Sequence, residues 1–103
     1  DCSTIEEIRN EIDQIDQQII NSLGKRLQFV KSIVRFKKDE EDILARKRYE
    51  QVLEERRTWA IEKGLDPDVI EELYKSMVRY FIEVQKNTLH DRLQQQAAST
   101  VVK

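Results

Sequence analysis

The apolar positions in the first third of the chain recur at steps of three and four residues. This spacing is the period of an α-helix that is apolar along one side. The positions that carry it are Ile5, Ile8, Ile12, Ile15, Ile19, Leu23, Leu27, Val30 and Val34. Ser3 and Glu6 have the spacing of a capping box, which marks the start of a helix. The pattern predicts one helix from about Thr4 to about Lys38, interrupted only by Gly24.

Two further helices follow in the pattern. The second is predicted over about residues 43–63 and ends at Gly64, where glycine favours a left-handed turn. Asp66 and Pro67 give an N-cap followed by a first-turn proline, and they predict a third helix that ends near Gln94. The residues expected to point inward are Val52, Leu53, Trp59 and Ala60 on the second helix, and Val69, Ile70, Leu73, Met77, Tyr80, Phe81 and Val84 on the third.

The remaining segments lack an apolar period. Residues 38–42 are almost entirely charged, so we expect a mobile connection there. Residues 95–103 are polar and small, and we expect this tail to fray. The chain is long enough for one domain and too short for two. We therefore predict a single helical domain over residues 1–103, with its core at about residues 3–93.

The length of the predicted first helix has a consequence for assembly. A helix of about 35 residues extends about 52 Å, whereas a compact domain of this size has a radius of gyration of about 13 Å. Two shorter helices cannot cover an apolar stripe of that length. The sequence therefore predicts an all-α homodimer, intertwined or side by side, with three helices in each chain.

Composition agrees with this fold and limits the partners. Charged residues make up 37% of the chain, and only two glycines and one proline occur, which is typical of long helices. The net charge of −2 gives no indication of a nucleic-acid or membrane partner. The only cysteine is Cys2, and neither a signal peptide nor a membrane-length apolar run is visible. We therefore expect a cytoplasmic location.

Several cations fall on the apolar side of the predicted helices, where an unpaired charge is costly. At about 100° per residue, Arg26 and Lys37 both lie within the stripe of the first helix, three turns apart. Arg9 lies at the edge of that stripe, about 25 Å from Arg26 along the axis. One small ligand therefore cannot contact both arginines of one chain, although Arg9 of a second chain could complete a site. Arg48, on the side of Val52 and Trp59, repeats the pattern.

These cations can be satisfied in two ways. Their side chains can reach solvent or form internal salt bridges. Alternatively, together with Gln85 on the third helix, they can bind a ligand with two carboxylates, for which arginine is well suited. The sequence has no phosphate-binding glycine loop, no metal-ligand spacing and no nucleophile–histidine–acid set, so a reaction that needs no metal, covalent step or general base is favoured. A pericyclic rearrangement or elimination fits, because it depends on holding a reactive conformer and stabilising a breaking C–O bond.

The order and spacing of these residues resemble the all-helical chorismate mutase family over about residues 2–90. The matching segments are Ile8-Arg9, Ile12-Asp13-x-x-Asp16, Leu23-Gly24-Lys25-Arg26, Val30-Lys31, Phe36-Lys37, Arg48 and Gln85. Within the family, three further segments look most similar to isochorismate-pyruvate lyases, the branch that forms salicylate. They are Asp1-Cys2, Arg35-Phe36-Lys37 and Trp59-Ala60.

The resemblance implies an intertwined homodimer with two shared active sites and no cofactor. Arg26 and Arg48 would bind substrate carboxylates, and Arg9 would come from the other chain. Lys37 would bind the ether oxygen of the enolpyruvyl group and stabilise the charge that grows there. Gln85 would hydrogen-bond near the same oxygen, and the loop after Lys37 would close over the ligand.

Two departures from the family pattern bear on the reaction. Bacterial mutases commonly carry Glu directly after the arginine that matches Arg48, and here that position is Tyr49, which we include among the substrate-binding residues. The lyases have a proline-containing loop, whereas residues 38–46 are highly charged and lack proline. The leading prediction is a lyase that eliminates pyruvate from isochorismate to give salicylate, with weak chorismate mutase activity. The alternatives are a chorismate mutase that forms prephenate and a non-catalytic helical dimeric binding module.

Overall fold

A computed structural model describes residues 4–101 of the chain, with side chains through residue 96. The helices are α1 (Ile5–Ile33), α2 (Glu40–Leu44), α3 (Arg46–Glu62) and α4 (Pro67–Val101), and Val34–Phe36 form a 3₁₀ turn between α1 and α2. The described residues include no strand. The predicted all-α fold with three long helices, the first of them very long, is therefore confirmed. Cys2 and Ser3 lie outside the described residues.

Contacts divide the chain into two compact units, Asp1–Val30 and Lys31–Lys103. The first unit consists of most of α1. In the second unit, α3, α2 and the 3₁₀ turn all pack against α4, which is therefore its central element. One domain formed by the whole chain stays a prediction. Among the described residues, no helix combines the length and apolarity that crossing a membrane requires.

Thr4 caps the start of the first helix. The backbone N–H of Glu7 donates to Oγ1 of Thr4 (3.1 Å), and the Thr4 hydroxyl donates to Oε1 of Glu7 (3.2 Å). The predicted capping box of Ser3 and Glu6 involves Ser3, which lies outside the described residues. No residue of α1 is buried, and Ile12 is 50% exposed. The other isoleucines of the stripe that are similarly exposed are Ile5, Ile8, Ile15 and Ile19.

The segment after α1 is more structured than predicted. The carboxylate of Asp39 accepts a hydrogen bond from the backbone N–H of Asp42 (3.0 Å), which caps α2. Ala45 then adopts a left-handed conformation with φ 40°, which ends α2 and separates it from α3. The predicted second helix is therefore two helices, and the predicted loop contains the first turn of α2.

The core of the second unit is small and centres on α4. Val34, Ile43 and Leu89 form a buried cluster, with Ile82 packed against it, and Val52, Ala60 and Phe81 are also buried. Four residues that were expected to point inward are about half exposed, namely Trp59, Val69, Leu73 and Tyr80. The predicted end of the third helix near Gln94 was also wrong, because α4 continues to Val101. Apolar spacing thus identified more core positions than this chain buries by itself.

Charged side chains also hold α3 against α4. Nη1 of Arg57 lies 2.7 Å from Oδ1 of Asp68 and 3.3 Å from Oε1 of Glu71. The hydrogen bond to Asp68, helped by the charges of both carboxylates, raises the pKa of Arg57. The guanidinium of the neighbouring Arg56 lies over the ring of Trp59, 4.5 Å from its centroid.

The connection from α3 to α4 has the predicted form. Gly64 has φ 75°, its N–H donates to the Ile61 carbonyl (3.2 Å), and the Leu65 N–H donates to the Ala60 carbonyl (2.8 Å). These two bonds are the Schellman motif that ends many helices. The backbone N–H of Asp68 donates to Oδ1 of Asp66 (2.9 Å), which confirms the predicted N-cap of α4.

We expect Gly64→Ala to lower the free energy of unfolding by about 1 kcal/mol, because a Cβ is unfavourable in the left-handed region. A new Cβ would meet no atom within 4 Å, so the cost is conformational rather than steric. Gly24→Ala is the matched control, since Gly24 lies inside α1 with equally open surroundings. It should raise the free energy of unfolding by about 1 kcal/mol. Urea denaturation at one protein concentration measures both, and changes of the same sign would contradict this account.

Candidate functional site

Lys37 lies immediately after the 3₁₀ turn, in an extended conformation (φ −99°, ψ 134°). Because α1 ends at Ile33, the helical wheel does not reach Lys37, and its predicted place on the stripe of Arg26 was wrong. The Lys37 ammonium donates to the backbone carbonyl of Asp42 (3.0 Å). Among the described side chains it contacts no carboxylate. Its charge therefore has no acidic counterpart within this part of the chain.

The segment after Lys37 is fixed at both ends. The Asp42 carboxylate accepts a hydrogen bond from the Lys38 N–H (3.0 Å). Glu40, in the first turn of α2, lies 3.6 Å from Nζ of Lys86 and 3.3 Å from Nε2 of His90, both on α4. These polar contacts are exposed and individually weak. Together with the buried side chain of Ile43, they hold α2 against the second half of α4.

Gln85 lies on α4 and is partly buried. Its Oε1 atom is buried and has no hydrogen-bond partner among the described residues. A buried polar atom without a partner is costly, and few occur in folded proteins. Since amide O and N are assigned from their partners, either end of this group can face a ligand. The amide of Gln85 is therefore available for a hydrogen bond to a ligand or to a residue outside the described part of the chain.

Arg48 lies in the first turn of α3 and is more exposed than predicted. Its side chain is 59% exposed, whereas Val52 one turn later is buried. The prediction that Arg48 shares the buried side of Val52 and Trp59 was therefore wrong for this chain. Its guanidinium lies 3.4 Å from Oε1 of Gln51 and 3.8 Å from Oε1 of Glu55. It also lines an open cavity of about 580 Å³.

Tyr49 closes the first turn of α3, where its N–H donates to the carbonyl of Ala45 (2.9 Å). It is half-buried and lines a second open cavity of about 370 Å³, together with Leu44 and Val78. The left-handed turn at Ala45 sets the direction in which α3 leaves α2. The same backbone turn therefore sets the positions of Tyr49 and of its neighbour Arg48.

Arg9 and Arg26 both lie on α1, in the first unit. Arg9 is exposed and Arg26 is half-buried. Because α1 is continuous between them, their Cα atoms are about 25 Å apart along its axis. One small ligand cannot contact both arginines of one chain, as the sequence predicted. The other four predicted site residues belong to the second unit. Gln85 lies on α4 itself, Arg48 and Tyr49 lie on α3, which packs against α4, and Lys37 follows the 3₁₀ turn, which also packs against α4.

The sequence reasoning missed Arg92, which lies on α4 two turns beyond Gln85. Its Nη1 donates to the carbonyl of Val34 (3.0 Å) and its Nη2 to the carbonyl of Lys37 (2.9 Å). These two bonds hold the segment that follows α1 against α4. The seven-residue spacing from Gln85, on one face of a helix, was the available signal.

Among its described residues, the second unit has a lysine without an acidic contact, an exposed arginine and a buried amide oxygen without a hydrogen-bond partner. Side chains of these kinds can bind a small anion that carries several oxygen atoms. The sequence matches the chorismate mutase type II family over residues 8–86. The chain therefore belongs to this family.

The chain is also similar to a curated protein with a named activity. An isochorismate pyruvate lyase of Pseudomonas aeruginosa is 40% identical over 85 residues, which cover 82% of this chain and 84% of that protein. Together, the family and this relative indicate that the chain is an enzyme, a lyase or an isomerase. The recognition made from the sequence is confirmed.

Proposed function

We propose that this protein is an isochorismate-pyruvate lyase with weak chorismate mutase activity, and that it needs no cofactor. In the reaction, the bond between a ring carbon and the ether oxygen breaks while a ring hydrogen moves to the methylene of the enolpyruvyl group. The products are salicylate and pyruvate, so all atoms are retained. The 40% identity to a protein named as this lyase supports the choice over the mutase.

The observation that carries the proposal is the state of the Lys37 ammonium. Its described partner is a backbone carbonyl, not a carboxylate. This ammonium can exchange the backbone oxygen of Asp42 for an oxygen atom of a bound substrate. Electrostatic stabilisation of a developing negative charge is often the largest single contribution to catalysis. We therefore assign Lys37 to the ether oxygen of the substrate.

The remaining roles follow from the chemistry of each side chain. Gln85 would donate a hydrogen bond near the same ether oxygen. Arg26 and Arg48 would bind the two carboxylates, because a guanidinium can grip a carboxylate with two parallel bonds. Tyr49 would contact the ring of the substrate. A mutase would be expected to have Glu at this position, and the phenol of Tyr49 cannot supply the same charged acceptor.

We also propose that the protein is a homodimer and that Arg9 acts on the substrate bound by the other chain. The exposed isoleucine stripe of α1 supports a second copy as its cover, because full burial of such a side chain contributes about 1.5–3 kcal/mol. The separation of Arg9 from Arg26 supports a site shared between chains. A cytoplasmic location remains a prediction based on the single cysteine, Cys2.

A chorismate mutase and a non-catalytic binding module are the two alternatives, and each predicts a different result with the two substrates. A chorismate mutase would use the same cations on chorismate and release prephenate. A non-catalytic binding module would keep its cations in permanent salt bridges and convert neither substrate. The Lys37 ammonium, which contacts no carboxylate among the described side chains, favours an enzyme over such a module.

Turnover of the two substrates tests the proposal. We expect isochorismate to give salicylate, followed by its fluorescence, at a kcat/KM higher than that for conversion of chorismate to prephenate. Light scattering after size-exclusion chromatography should give twice the chain mass of 12.3 kDa. A higher kcat/KM with chorismate would assign the protein as a mutase. No turnover of either substrate by a folded dimer would contradict both enzymatic assignments.

A further inference from the structure

Arg92 joins two places that are far apart in the sequence. It lies on α4, 58 positions after Val34 and 55 after Lys37, and its guanidinium donates to both of their carbonyls. The Val34 carbonyl also accepts the backbone N–H of Lys37 (2.8 Å), which closes the 3₁₀ turn. Arg92 therefore holds this turn at its first residue and at the residue that follows it.

The geometry of these bonds requires arginine. A guanidinium is planar and presents its N–H groups in a fixed fork, so two bonds from one group also fix the angle between the partners. Leu89, one turn before Arg92, is 1% exposed and packs with Val34 in the core cluster. Apolar contact and the two polar bonds thus bind the same turn to the same stretch of α4.

The charge of Arg92 has no acidic partner among the described side chains. Its Nε atom is buried without a hydrogen-bond acceptor there, so the described contacts of the guanidinium are the two carbonyls. A salt bridge between two surface side chains would constrain the backbone of the turn only weakly. Two charge-assisted hydrogen bonds to backbone oxygens, by contrast, hold the backbone atoms directly.

Arg92 and Gln85 lie on one helix, seven residues apart. Seven residues are nearly two turns, so both side chains project from one face of α4, about 10 Å apart along its axis. The family match ends at residue 86 and therefore does not include Arg92.

We infer that Arg92 is a positioning residue that fixes the backbone of Lys37 relative to Gln85. This inference rests on the proposed roles of Lys37 and Gln85 in catalysis. Through Arg92, a single rigid helix determines where the ammonium and the amide stand with respect to one ether oxygen. Arg92 itself needs no contact with the substrate.

The first test is kinetic. Arg92→Met removes the fork and keeps an unbranched apolar stem of similar length, and we expect kcat to fall about tenfold or more with little change in KM, because misplaced catalytic groups lose rate steeply. Gln95→Met, an exposed change one turn along α4, should leave kcat within twofold. Arg92→Lys keeps the charge but lacks the fork, and its kcat should stay well below wild type. Full activity in Arg92→Lys or Arg92→Met would overturn the inference.

A double variant distinguishes positioning from general damage to the protein. If Arg92 acts through Lys37, adding Arg92→Met to Lys37→Ala should lower kcat by less than twofold further. If the two losses multiply instead, Arg92 acts independently of Lys37 and the inference is wrong.

Hydrogen exchange tests the contact without any substrate. In Arg92→Met the amides of Lys37 and Lys38 should exchange at least tenfold faster than in the wild type. The amide of Leu65, in the α3–α4 turn, should exchange at an unchanged rate. An unchanged exchange rate at Lys37 would show that Arg92 does not hold the turn, even if the enzyme is active. A different result separates this contact from the proposed function. If the wild type converts neither substrate but Lys37 exchanges faster in the variant, Arg92 does hold the turn, whereas the proposed function and the catalytic part of this inference fail.

Discussion

Lys37→Ala is expected to lower kcat for isochorismate by about 100-fold or more, the range typical for loss of one electrostatic stabiliser. In the proposed mechanism the ether oxygen gains negative charge as its bond to the ring breaks. The Lys37 ammonium, which contacts no carboxylate among the described side chains, would stabilise that charge. The ground state has less charge on that oxygen, so KM should change much less than kcat. Steady-state kinetics with salicylate fluorescence measure both parameters.

The chain offers a closely matched control in Lys38→Ala. Lys38 is the next residue and is exposed, and the bond that it contributes to Asp42 comes from its backbone, which alanine keeps. The two variants therefore remove the same charge from adjacent positions. We expect Lys38→Ala to keep kcat within about twofold of wild type. Equal losses in both variants would mean that general positive potential, rather than a specific contact of Lys37, drives the reaction.

Short sequence motifs predicted the ends of some helices correctly. They failed at other ends, where residues distant in the sequence hold the backbone. Gly64 and the pair Asp66-Pro67 act through their own backbone and nearest neighbours, so their effect is visible in a short stretch of sequence. The segment after α1 is held instead by Arg92, which bonds the carbonyls of Val34 and Lys37 from a position more than fifty residues later. No local pattern contains that information, and the helical period continued past the real end.

The break at Ala45 is a second example of a tertiary effect. Alanine is a strong helix former, and its left-handed conformation costs about 1–2 kcal/mol. Burial of the apolar side chain of Ile43 against Val34 and Leu89 stabilises the fold enough to offset that cost, and it also fixes the direction of α2 on α4. The sequence therefore predicts a helix where packing imposes a turn.

Apolar spacing identified one side of each helix but could not say what covers it. Trp59, Val69, Leu73 and Tyr80 follow the helical period, yet each is about half exposed in the single chain. The same holds for the isoleucine stripe of α1. Periodicity reports that a surface is to be buried, whereas the identity of the covering surface depends on assembly.

The candidate site was found from the sequence through residue type more than through geometry. The wheel placed Lys37 with Arg26 on one helix, but Lys37 belongs to an extended segment after the 3₁₀ turn. Gln85 stays a prediction, and its buried oxygen, which has no hydrogen-bond partner among the described residues, supports that choice. Arg92 was missed because its partners lie more than fifty positions earlier in the chain, and its spacing from Gln85 was the one local signal.

A mixed dimer tests whether each active site is shared between two chains. One chain carries Arg9→Ala and the other Arg26→Ala, with different affinity tags that allow the heterodimer to be purified. Either variant alone should lose activity about 100-fold or more, because each site then lacks one charged contact to the substrate. In the mixed dimer, one site combines Arg26 of the first chain with Arg9 of the second and is intact. We therefore expect about half of the wild-type kcat per dimer.

The reciprocal arrangement uses the same two substitutions and reverses the expectation. One chain carries both Arg9→Ala and Arg26→Ala, and its partner is wild type. If sites are shared, each of the two sites now lacks one arginine, and activity should fall as far as in the single variants. If each site belongs to one chain, the wild-type chain should retain its own site and half the activity, while the first mixed dimer should be inactive. Because the two dimers have identical composition, general effects on folding, charge or association cancel, and only the arrangement of Arg9 and Arg26 separates the results.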